Sequence, residues 1–203
     1  MLTAFIHGFI LALGLILPLG VQNVFVFQQG ATQPRFFQAL PAVLTAALCD
    51  TALILLAVLG VSVVVFTIPW LQTILFVVGF FFLLYMGWKV WKSKPSSANN
   101  QGSMPPKKQI LFALSVSLLN PHAILDTIGV IGTNSLNYDG SEKVAFTGAC
   151  ISVSWFWFFF LAIAGKTIGR IDQKGKLMTR INQISALIIW AVAMYLIVNL
   201  WKN

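Results

Sequence analysis

Two carboxylates, Asp50 and Asp126, stand deep inside apolar stretches, whereas Asp139, Glu142 and Asp172 fall in loop-like segments. An Asp at the centre of a membrane-spanning helix costs roughly 2.5–3.5 kcal/mol on insertion scales, so it normally faces a cavity and serves an ion, a proton or a polar substrate. The other reading is a structural hydrogen bond between helices. Gln22 and Asn23 in the first apolar run, and Asn120 in the fourth, add amides able both to donate and to accept. Such groups suit a zwitterion, and equally suit helix bridging. His122 could join the aspartates in a proton relay or a metal site; a lone histidine also serves as a hydrogen-bonded packing residue. Pro18 and Gly20 in the first run, and Pro121 in the fourth, remove backbone donors or loosen the helical ladder. They predict two broken helices whose freed amides and carbonyls hold the polar ends of a substrate, plain kinks being the alternative.

No set of nucleophile, base and electrostatic stabiliser is visible, so the chain does not read as an enzyme, and no cofactor is expected. Gly165-Lys166-Thr167 has the ending of a phosphate-binding loop, but Phe160 stands where the earlier glycine is required. Cys49 and Cys150 lie in apolar runs as small hydrophobes and make neither a disulfide framework nor a metal site. Gly165 and Gly169 have the spacing of a close helix contact, and the aromatic run Trp155 to Phe160 suits lipid and packing.

The elements that position these residues follow from composition. The chain is 58% hydrophobic and 9% charged, against about 25% charged residues in soluble domains; its mean hydropathy is +0.86. An all-α integral membrane protein is the fold class. Apolar runs near residues 3–27, 38–66, 70–91, 109–133, 143–165 and 181–201 predict six spans. The first has no basic residue before it, unlike a signal peptide, and is expected to be retained. Residues 92–108, rich in Ser, Asn and Pro, form a solvated loop between a first half, 1–91, and a second, 109–203.

The net charge of +8 is spread in short clusters between apolar runs and comes with no base-reading module, so nucleic acid is not an expected partner. Arg35, Lys89, Lys92, Lys94, Lys107, Lys108, Lys166, Arg170, Lys174, Lys176 and Arg180 lie beside loops one-two, three-four and five-six. Those eleven outweigh Lys143 and Lys202 on the opposite side, which predicts that the three loops are cytoplasmic and both termini outside. Pro18 pairs with Pro121, and Asn23 with Asp126, at one constant offset. With three spans per half, that likeness predicts two inverted three-helix repeats, broken in helices 1 and 4.

On these residues the chain resembles the LysE/ArgO family of basic amino-acid exporters, closest to its arginine exporter branch. The likeness runs from Gly8 to Val198 and rests on Leu17-Pro18-Leu19-Gly20 followed by Gln22-Asn23, on Asp50, and on Leu119-Asn120-Pro121-His122 followed by Leu125-Asp126-Thr127. Trp155-Phe156, Ile181-Asn182 and Trp190 extend it, while Val21 stands where the family commonly has proline. The resemblance implies export of L-arginine or L-lysine across a bacterial inner membrane, driven by an ion gradient. Asp50 and Asp126 become the essential acids, for substrate or for a coupling proton, with Gln22, Asn23, Asn120 and His122 beside them. The partners implied are the basic amino acid, the coupling ion and the bilayer, and a homodimer is compatible with this plan. A divalent metal or other small-cation exporter is the alternative, although a selective soft-metal site would want Cys or several His.

Overall fold

A backbone inside lipid must pair its own polar groups, and apolar runs of this length do so as helices. The structure, a computed structural model, describes residues 1–17, 20–61, 69–92, 104–172 and 175–200, and among them all regular structure is helical. Helix α1 (Leu2–Ile16) buries Ala4, Gly8 and Ala12, one small residue per turn. Helix α2 (Val21–Thr32) follows after a break and meets α1 at 79°. Gly20 opens α2 in an extended conformation (φ −72°, ψ 173°); Pro18, the other residue expected at this break, lies outside the described residues. Helix α3 (Leu40–Leu56) ends in a wide turn, Ala57–Val61, in which Gly60 takes φ +97°, a conformation that favours glycine.

Helix α4 spans Pro69–Trp91 and α5 spans Pro106–Leu118. The chain then leaves helical geometry at Leu119 and Asn120 (φ −88°, ψ 100°) and resumes as α6 (Pro121–Asp126). Pro121 occupies the first turn of α6, where the missing N–H would have had no helical partner anyway. A π-helical stretch, Thr127–Gly132, and a last turn, Thr133–Ser135, prolong α6. Helix α7 (Gly140–Ile171) and helix α8 (Lys176–Leu200) complete the fold. At 32 residues, α7 extends about 48 Å against a hydrocarbon core of about 30 Å. Its polar ends therefore stay helical beyond the lipid, which is why Lys166 and Arg170 lie on a helix where the apolar run alone predicts a loop. Among the described residues three helical segments are long and apolar enough to cross a membrane: Leu40–Gly60, Gly140–Ile171 and Lys176–Tyr195. The bent pair α1 and α2, counted as one span, brings the number to four.

Helices α1 and α2 both lie along α7, α3 packs on α5 and α7, and α4 packs on α8. Small residues make the α2–α7 seam. A β-carbon at Gly30 would strike the Ala162 carbonyl, and one at Gly165 or Gly169 would strike the carbonyls of Phe27 or Ala31. This is the close approach that the Gly165–Gly169 spacing suggests. Val26, Val43, Ala46, Ala47, Phe158 and Ala162 fill the space between α2, α3 and α7. At the end of α7 that carries Lys166, the ammonium donates to the carbonyls of Gln33 (2.5 Å) and Pro34 (2.9 Å). The buried Gln33 and Gln109 amides both donate to the Met104 carbonyl there, at 3.0 and 2.8 Å. At the opposite end His7 Nδ1 and the Tyr138 hydroxyl share a hydrogen bond of 2.8 Å.

Candidate functional site

The two breaks meet at one cavity of about 140 Å³. From the first come Ile16, Gly20, Val21, Gln22 and Asn23; from the second, Asn120, Ala123, Asp126 and Thr127. Asp50 enters from the middle of α3, and Cys150, Ser154 and Phe158, one turn apart on α7, form the facing wall. Ile54, Leu83, Ile188 and Ile189 supply much of the remaining apolar lining.

Local sequence explains how each polar group is held. Asn23, three residues into α2, donates its Nδ2 to the carbonyl of Ile16 at 2.7 Å, so the amide satisfies a group that the end of α1 leaves open. Gln22 donates its Nε2 to Asp50 Oδ1 at 3.1 Å. Ser154 donates its Oγ to Asp50 Oδ2 at 2.7 Å. Both oxygens of Asp50 thus accept from neutral donors on two other helices. The buried Asn120 keeps its Oδ1 without a hydrogen-bond partner among the described residues. Asp126 closes α6 and reaches the same cavity. The side chains of Pro121 and His122 lie outside the described residues.

The cavity therefore gathers Gly20, Gln22, Asn23, Asp50, Asn120 and Asp126 from the residues singled out in the sequence. Of the two uses the sequence leaves open for Gln22 and Asn23, the bonds their amides make here are of the bridging kind, to Asp50 and to the α1 terminus. Sequence reasoning missed Ser154, Cys150 and Thr127. The signal for Ser154 was its four-residue spacing to Cys150 and Phe158, masked by the aromatic run beside it.

Electrostatically the site is an apolar chamber with two carboxylates and an open amide oxygen, and no Lys, Arg or His is among its described lining residues. The N-terminus of α2, which carries no side-chain cap, borders it and brings partial positive charge. Acceptors for a cation and a helix N-terminus for an anion thus face one space.

A helical membrane protein with a carboxylate-bearing chamber between broken helices has the architecture of a translocator. The LysE type translocator model matches residues 13–200, and the chain belongs to that family. It is 57% identical over its whole length to the protein named "Putative amino-acid transporter YisU" of Bacillus subtilis, covering 92% of it. It is 33% identical to the arginine exporter protein ArgO of Escherichia coli K12 and of Shigella flexneri, with 97% of this chain and 94% of each relative aligned. No solved structure matches.

Proposed function

We propose that the chain is a secondary exporter that carries a cationic amino acid, L-arginine or L-lysine, out of the bacterial cytoplasm, with a proton as the coupling ion. The observation that carries this reading is the cavity's composition: Asp50, Asp126 and an Asn120 oxygen without a partner among the described residues, in an apolar chamber with no described basic residue. A lone cation or a zwitterion with a cationic side chain would meet acceptors there, while an α-carboxylate would suit the amide end of α2. The kinship to proteins named as arginine exporters agrees. The cavity is close in size to one that holds benzene, roughly 150 Å³, so a whole arginine requires the chamber to widen as the protein cycles.

In this reading the chain forms six spans as two inverted three-helix repeats, 1–91 and 109–203, joined by a cytoplasmic loop at 92–108. Support comes from the packing pattern. Exchanging α1–α4 for α5–α8 turns the contact of α1 and α2 with α7 into that of α5 and the prolonged α6 with α3. The α3–α7 and α4–α8 contacts map onto themselves. A two-fold axis requires that invariance, and three spans per half place it in the membrane plane. Rocking of one half on the other would then expose the chamber to each side in turn.

Radiolabelled arginine uptake into proteoliposomes, with and without an imposed pH gradient, tests the function. Saturable uptake stimulated by the gradient is expected. Absence of transport of any basic amino acid by inserted, folded protein would overturn it.

A further inference from the structure

Hydroxyls in membrane helices usually return their hydrogen bond to the carbonyl one turn back. On α7, Thr147, Ser152 and Thr167 do so, to Lys143, Gly148 and Ile163, at 2.7, 2.7 and 3.0 Å. Ser154, only 4% exposed, instead reaches across to Asp50 Oδ2 at 2.7 Å. Its neighbour fixes the alignment: Trp155 Nε1 donates to Thr51 Oγ1 at 3.0 Å. Two successive residues of α7 thus bond two successive residues of α3, each pair 104 positions apart, and this double contact registers one helix against the other.

From this geometry we infer that Ser154, with Gln22, is a positioning residue that sets the plane of the Asp50 carboxylate and so makes the site favour a planar guanidinium over a compact ammonium. The inference rests on the exporter reading above. A carboxylate offers about four lone-pair sites, two on each oxygen. Gln22 occupies one on Oδ1 and Ser154 one on Oδ2, which leaves one on each oxygen and stops the group from turning about its Cβ–Cγ bond. For this role the two open sites must be the pair on the cavity side, where they form a fixed two-pronged acceptor. A guanidinium matches both prongs at once, so it gains from the fixed plane; an ammonium acts as a point charge and is held equally well by a carboxylate that swings. Without Ser154 only Gln22 remains to orient Asp50, and the advantage of the planar cation is lost. Ser154 touches the acid rather than the substrate; its effect is on discrimination.

The test compares native protein with Ser154→Ala, Ser154→Thr and the control Ser152→Ala in proteoliposomes, measuring arginine and lysine transport separately. Ser154→Ala is expected to raise the KM for arginine roughly tenfold while leaving the KM for lysine and both kcat values within about twofold. Ser154→Thr should restore the arginine preference, and Ser152→Ala should match the native protein. A second readout needs no amino-acid transport: carbodiimide modification of Asp50, quantified by mass spectrometry, in the presence of guanidinium or methylammonium chloride. Guanidinium should protect the native protein better than methylammonium, and Ser154→Ala should abolish that difference. An unchanged KM ratio and unchanged protection in Ser154→Ala, with Asp50→Asn inactive, would overturn the role of Ser154 while leaving the exporter reading in place. Native activity in Asp50→Asn would take Asp50 out of the site and overturn the inference while leaving the exporter reading in place; no transport of either amino acid would overturn the exporter reading, and the protection difference would then decide the inference.

Discussion

Asp50→Asn retains the shape of the side chain and removes its charge, and the surroundings of Asp50 determine what that does. The native carboxylate accepts from Gln22 Nε2 at 3.1 Å and from Ser154 Oγ at 2.7 Å. An asparagine oxygen can keep the bond from Gln22 while its NH2 group turns to Ser154. The serine hydroxyl both donates and accepts, so it reverses its role and no polar atom is stranded. The cost to stability is then that of exchanging charged for neutral hydrogen bonds, about 1 kcal/mol. Asp50→Leu, by contrast, strands two buried donors at about 1–3 kcal/mol each. Substrate binding responds differently. Removing one partner of a buried ion pair costs about 3–5 kcal/mol, which is more than a hundredfold in affinity. Thermal unfolding in nanodiscs should therefore place Asp50→Asn near the native protein and Asp50→Leu well below it, while arginine flux in proteoliposomes is lost in both. The reasoning fails if Asp50→Asn unfolds as early as Asp50→Leu, because Ser154 would then be unable to reverse its role. It fails equally if Asp50→Asn carries arginine at the native rate.

Gly165→Val should lower thermal stability by about 1–3 kcal/mol, since its side chain would enter the Phe27 backbone across the α2–α7 seam; an unchanged melting curve would contradict that packing. Asn23→Ala should cost about 1–3 kcal/mol by stranding the Ile16 carbonyl, while Asn23→Gln, whose amide still donates, should recover part of it on the same curve. Membrane sidedness is testable with impermeant thiol reagents on a background lacking Cys49 and Cys150. Cysteine at Lys176 should react only from the cytoplasm and cysteine at Asn137 only from outside, and the reverse pattern would invert the orientation.

Helix identity was legible because apolar runs of spanning length leave few alternatives, and the two breaks were legible because Gly20 and Pro121 stand where α2 and α6 begin. Ends were less so. Apolarity reports where lipid is, whereas α7 continues to Ile171 because no proline interrupts Gly165 to Arg170 and both of its glycines there pack on α2. Within the site, Asp50, Asn120 and Asp126 stood out because polar groups in lipid are costly. The orientation of Gln22 towards Asp50 and of Asn23 towards Ile16 was not legible, since an amide suits a substrate and a helix end equally. Ser154 was invisible for a related reason: a serine in a membrane helix normally satisfies itself, and only the approach of α3 reveals that this one does not.

The wide separation in sequence of Asp50 and Ser154 also sets an order of events during synthesis. Asp50 leaves the ribosome 104 residues before the hydroxyl that bonds it, a delay of about 5–20 s at elongation rates of about 5–20 residues per second. A longer delay separates Gly30 on α2 from Ala162, its neighbour across the seam on α7. During that interval helices α1 to α3 wait with an incompletely paired Asp50 carboxylate and with the Gly30 face of α2 uncovered. Quality control that recognises polar groups in lipid has its opportunity then, and a variant that slows the arrival of α7 should be degraded from this provisional state rather than from the finished protein.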